Sequence, residues 1–86
     1  MGNYRILIRS STSKELKKMP QVHLARIVKK VESLAQNPRP HGSEKLCGRD
    51  IYRIRQGDYR IICSISEDDV EIRIEKIGHR KDVYRH

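Results

Sequence analysis

Apolar residues along this chain follow two periods, and the change from one to the other divides it. Near the start, Tyr4-Arg5-Ile6-Leu7-Ile8-Arg9 is a short run rich in strand formers, bounded by Ser10-Ser11-Thr12-Ser13, and it predicts a first strand. Thr12 followed three residues later by Glu15 fits a capping box, in which the threonine oxygen accepts from a free helix amide and the glutamate reaches back. A short helix to about Lys18 is expected from that cap. Pro20 cannot donate a backbone hydrogen bond but suits a first helical turn, so a second helix is expected to meet the first at Met19-Pro20. In that second helix Leu24, Ile27, Val28, Val31, Leu34 and Ala35 recur at three- and four-residue spacing. Arg26, Lys29, Lys30 and Glu32 fall elsewhere on the wheel, so one face packs and the other is solvated.

Asn37-Pro38-Arg39-Pro40-His41-Gly42-Ser43 breaks the helical period and predicts a connecting loop. From Lys45 onward the period is two, and residues 51–55, 59–65 and 70–77 read as three strands of an antiparallel meander. Gln56-Gly57-Asp58 and Ser66-Glu67-Asp68-Asp69 supply the turns. Because successive strand side chains point to opposite sides, the faces can be sorted. Tyr52, Ile54, Tyr59, Ile61, Cys63, Ile65, Val70, Ile72 and Ile74 are expected on the face that the amphipathic helix covers. Arg53, Arg55, Arg60 and Arg73 are expected on the open face, together with Ile51, Ile62 and Ile77. The expected fold class is therefore α+β: an N-terminal strand, two helices, then an antiparallel meander of about three strands, in one sheet with the helices on one face.

Length and charge narrow this picture. Eighty-six residues support one domain, 1–86, because a chain this short cannot build two cores. Lys and Arg number 19 against 11 Asp and Glu, a net charge of +8, which points to a polyanionic or acidic partner. Arg53, Arg55 and Arg60 flank one turn, and clustered guanidiniums suit phosphate oxygens, so a nucleic-acid backbone is the expected ligand. Cys47 and Cys63 lack CxxC spacing, which suggests reduced thiols and neither a zinc site nor a disulfide framework. No apolar run suits a signal peptide or a membrane span, and the expected location is cytoplasmic.

Three motifs in order carry a resemblance: Lys45-Leu46-x-Gly48, then Ile51-Tyr52-Arg53-Ile54-Arg55-x-Gly57-Asp58-Tyr59-Arg60-Ile61-Ile62, then Ile77-Gly78-His79-Arg80-Lys81-Asp82-Val83-Tyr84. Together they resemble the RelE/ParE toxin superfamily, and RelE most closely. The order strand, helix, helix, meander is likewise that of the family, whose fold is a small microbial RNase-like sheet. The resemblance implies a ribosome-dependent endoribonuclease that cuts mRNA in the ribosomal A site and is held inactive by a cognate antitoxin. Antitoxin, mRNA and ribosome are thus the implied partners. It implies catalytic positions at Arg60, Arg80 and Tyr84, with Arg53 and Arg55 binding phosphate. The implied chemistry is attack of a ribose 2′-hydroxyl on the adjacent phosphate, with no metal and no cofactor. Arg60 and Arg80 suit the charge that builds on the phosphorane, and Tyr84 suits placing the base and ribose or sharing in proton transfer.

Two departures from the family pattern matter. Arg53 and Arg55 stand where some RelE proteins have lysines, and a guanidinium does not give up its proton, so the base is sought in Tyr84, His79 or His86. Cys47 occupies a position where RelE often has arginine, and Lys45 or Arg49 is expected to take over its phosphate contact. Two alternatives share the fold: a ParE-like inhibitor of DNA gyrase, whose members usually lack the complete arginine and tyrosine set, and a non-catalytic relative that binds RNA or antitoxin.

Overall fold

The structure, a computed structural model, describes residues 3–46, 48 and 50–81. Strand β1 (Arg5–Ile8) leads into α1 (Ser10–Lys17) and α2 (Gln21–Ser33); β2 (Glu44–Leu46), β3 (Ile51–Gln56), β4 (Tyr59–Ser66) and β5 (Glu71–His79) follow. Among the described residues the strands form one five-stranded sheet in the order β1-β5-β4-β3-β2. The meander β2 to β5 is antiparallel, whereas β1 lies parallel to β5 with Ile6 beside Ile72 and Ile8 beside Ile74. The α+β class expected from the periodicity holds. Strand β2 was not expected, because three residues are too few to show a period.

Both helices cover one face of this sheet. Leu16 of α1, Ile27 and Val31 of α2, and Leu34 just beyond it pack against Ile54, Ile61, Cys63, Ile65, Ile72, Ile74 and Ile77. Each such aliphatic side chain contributes about 1.5–3 kcal/mol when fully buried, so this layer is the main source of stability. Burial pushes the Cys63 thiol up to about 11, despite the opposing charge of Arg39, and leaves it a core residue with little thiolate. Val28 departs from the expected packing face: it is 41% exposed, on the solvent side of α2.

The expected capping box at Thr12 is absent, and the reason is tertiary. Helix α1 begins at Ser10 with Arg9 at its N-cap, three residues before the expected cap, and no side-chain cap bond forms. Thr12 is 3% exposed and donates its hydroxyl to the Glu75 carbonyl at 2.6 Å. That carbonyl belongs to a bulge: Ile62 pairs with Lys76 and Cys63 with Ile74, so Glu75 has no Cα partner on β4. This part-buried carbonyl at the bulge takes the hydroxyl in place of a local cap.

The same bulge corrects the face assigned to Ile77. One extra residue reverses the alternation, so Ile74 and Ile77 both enter the core, with Ile77 only 5% exposed. Val70 moves the other way. It sits in the turn before β5 with φ of 50° and is 41% exposed, not part of the core face.

A polar network closes one end of the molecule. The Tyr4 hydroxyl donates to Glu67, Arg39 pairs with Glu67 at 2.7 Å, and Arg39 Nε donates to the Tyr52 hydroxyl at 3.0 Å. These contacts tie the start of β1 and the α2–β2 loop to the β4–β5 turn. Hydrogen bonds from Tyr4 and then Arg39 hold the Glu67 carboxyl below the usual carboxylate range.

Candidate phosphate-binding site

Strands β3 and β4 are joined by two residues, Gly57 and Asp58, with Gln56 opposite Tyr59. Gly57 has φ of 59° and Asp58 stays at negative φ, the pattern of a type II′ hairpin, which calls for glycine at its first central position. This tight connection sets the register. Arg55 lies directly opposite Arg60, and Arg53 lies between Glu44 of β2 and Ile62 of β4. All of these point away from the helices, as the alternation predicted, and Ile51 and Ile62 share that open face.

The arginines are held differently. Arg60 is half-buried, and its Nη1 donates to the Gly57 and Tyr59 carbonyls at 3.0 Å each, which fixes the guanidinium under the turn. Arg53 is half-buried and ion-paired with Glu44. The Arg53 hydrogen bond and charge hold the Glu44 carboxyl below its ordinary range, with Arg55 adding to the effect. Arg55 is exposed. Together with Gly42 and Glu44, the three arginines line a shallow concavity of about 50 Å³.

Like charges directly opposite on neighbouring strands destabilise a sheet. The Arg55–Arg60 pair is therefore poorly explained by stability, whereas an oxyanion between them would turn the repulsion into attraction. Arg80 is brought to the same end of the sheet: its backbone N–H donates to the Asp58 carbonyl at 2.7 Å, and its side chain is exposed. Gly78 lies opposite Arg60 and presents no side chain there.

Other candidate residues are not gathered. Lys45 pairs across the strands with Tyr52, which puts it on the opposite face of β2 from Glu44, and its Nζ lies 3.9 Å from Asp50. The phosphate contact expected of it does not form part of the arginine group. His79 is half-buried on the helix side of the sheet, with its ring edge-on to Tyr59 at 5.8 Å. Its Nδ1 accepts the Lys81 backbone N–H at 3.2 Å. A proton acceptor for the arginine face is thus not found in His79. Arg49, Tyr84 and His86 lie outside the described residues.

Sequence reasoning missed Glu44, because its role depends on the unforeseen strand β2. It also missed the pairing of His23 with Tyr59, since nothing in the helical period of α2 marks one histidine as facing a strand. Among the described residues no group of three His, Cys, Asp or Glu is placed to hold a metal ion. No helix among them is long and apolar enough to cross a membrane.

Two helices on one face of a small five-stranded sheet is a fold shared with solved toxins of toxin–antitoxin complexes. The sequence profile described as "ParE toxin of type II toxin-antitoxin system, parDE" matches residues 6–84. The chain belongs to the RelE/ParE superfamily of toxins. A protein of Methanocaldococcus jannaschii named as a RelE1 toxin is 31% identical, over 95% of this chain and 96% of its own length. The RelE–RelB complex of Pyrococcus horikoshii contains a chain with a TM-score of 0.81 and 31% identity, covering 93% of this chain and 98% of that one. The RelBE2 toxin–antitoxin complex of Mycobacterium tuberculosis shares the fold at a TM-score of 0.81 and 24% identity, covering 95% and 97%.

Proposed function

We propose that this toxin is a ribosome-dependent endoribonuclease that cleaves mRNA in the A site, in the cytoplasm, and so halts translation. The observation that carries this reading is the Arg55–Arg60 pair, an arrangement that repels itself until an anion enters. A nucleic-acid phosphate is the anion that the net charge of +8 favours.

In the reaction, the ribose 2′-oxygen forms a bond to the phosphorus and the bond to the 5′-oxygen breaks. The products are a 2′,3′-cyclic phosphate and a 5′-hydroxyl. One proton leaves the 2′-hydroxyl and one reaches the departing 5′-oxygen. Arg60, already oriented by two carbonyls, would stabilise the phosphorane without further reorganisation, which is where electrostatic catalysis is most effective. Arg80 would add charge from the end of β5, and Arg55 and Arg53 would bind the phosphate. Proton transfer is assigned to Tyr84 or His86, since His79 faces the helices.

The P. horikoshii and M. tuberculosis relatives are toxin–antitoxin complexes, which supports a cognate antitoxin as the partner of this chain. Co-expression with that antitoxin is expected to restore growth. Primer extension on translated mRNA tests the nuclease directly. Arg60→Ala is expected to slow cleavage about 10²–10³-fold, as for loss of one preorganised donor. Undiminished cleavage by an Arg55→Ala, Arg60→Ala double variant would sink the site assignment. The ParE description of the matching profile favours a second reading, inhibition of DNA gyrase. Loss of supercoiling activity at toxin concentrations that leave mRNA intact would select it.

A further inference from the structure

The helix side of the same hairpin tip has its own arrangement. His23 from the first turn of α2, Tyr59 at the start of β4 and His79 at the end of β5 meet ring to ring. The His23 and Tyr59 centroids are 5.2 Å apart at 45°, and those of Tyr59 and His79 are 5.8 Å apart at 76°. All three are half-buried. The fully buried part of this layer is built from aliphatic side chains and Cys63, so two histidines gathered at its margin are not what packing alone would select.

These rings border a cleft of about 290 Å³, with Ile27 at its base and Arg26, Gln56 and Asp58 among its lining. Arg26 follows His23 by three residues, so the two share one side of α2. The volume falls at the low end of ligand sites, roughly 300–1,000 Å³, which suits one flat group rather than a large molecule. Its walls combine rings, a guanidinium donor, a carboxylate acceptor and an amide that does both. Unstacked nucleobases are recognised by that combination, a ring to stack on and mixed partners for the base edge.

Position supplies the second argument. Gln56 follows Arg55 and Tyr59 precedes Arg60, so alternation places the cleft and the arginine concavity on the two sides of one hairpin tip. Arg80 is tied to that tip through Asp58. A nucleotide chain held by one phosphate at Arg55 and Arg60 can lay its neighbouring base over the turn and into the cleft.

We propose that this cleft is a nucleobase subsite for single-stranded RNA, with His23 as the stacking platform and Arg26 contacting the base edge or the flanking phosphate. The inference rests on the RNA reading of the arginine concavity. It is tested by fluorescence anisotropy of the full chain with two probes: a short labelled single-stranded RNA of mixed sequence, and a strand of equal length without bases. His23→Ala is expected to weaken binding of the RNA about tenfold, as for loss of one stacked base, and to leave the abasic strand unaffected. His23→Phe keeps a ring and is expected to retain affinity, which separates stacking from any fault in folding. Arg55→Ala is expected to weaken both probes. Wild-type RNA affinity in His23→Ala, or equal loss on both probes with His23→Phe no better, overturns the subsite while leaving the arginine site standing. If the unaltered protein binds neither probe, or Arg55→Ala changes neither, the RNA reading falls and the subsite with it.

Discussion

Arg60 shows how one side chain can be read from a pattern and yet owe its placement to local geometry. Alternation puts it on the open face, but its contact with the Gly57 carbonyl exists only because a two-residue turn brings Gly57 within reach. Val70 is the contrasting case. A β-branched residue at φ of 50° is strained, since its Cβ crowds the backbone in that region. Val70→Gly is expected to relieve this strain and, because the side chain is 41% exposed, to forfeit little burial. A gain of about 1 kcal/mol is expected, seen as a melting temperature higher by about 4–8 °C. An unchanged or lower midpoint would count against strain at this turn. The strand period 70–77 suggested a buried valine because alternation has no way to mark where a strand starts.

Between elements, the bulge in β5 and helix α1 depend on each other. Glu75 leaves the β4 ladder, its carbonyl takes the Thr12 hydroxyl, and Ile77 is turned into the core. Thr12→Val keeps the shape but removes the donor to that part-buried carbonyl, so a loss of about 1 kcal/mol is expected. Urea denaturation checks this: the midpoint should fall while the slope with denaturant stays constant, because the surface exposed on unfolding is nearly the same. A midpoint within error of the parent would show that the bulge is held by the ladder alone. The signal that misled the sequence reading, Thr12 three residues before Glu15, is real chemistry that a better-placed acceptor overrode.

For the whole molecule, an acidic residue in a basic chain links distant parts. Glu67 receives Tyr4 from just before the first strand and Arg39 from the α2–β2 loop, and its folded carboxyl titrates below the ordinary range. A depressed folded pKa contributes stability at pH above the ordinary carboxylate value, and that contribution is lost as pH falls through the folded value. Melting temperature is therefore expected to fall on acidification below about pH 4.5, and less steeply in Glu67→Gln. Parallel slopes for the two proteins would remove Glu67 from that account. Two helices, the meander, the open arginine face and the toxin family were all legible in the sequence. They rest on periods of 3.6 and 2 and on local motifs, which any chain carries in its covalent order. The parallel pairing of β1 with β5, the edge strand β2, the bulge at Glu75 and the meeting of His23, Tyr59 and His79 were decided only by tertiary structure. Strand β2 is too short to show a period, and the others depend on pairings between separate elements, where the partner is chosen by packing and leaves no local periodicity behind.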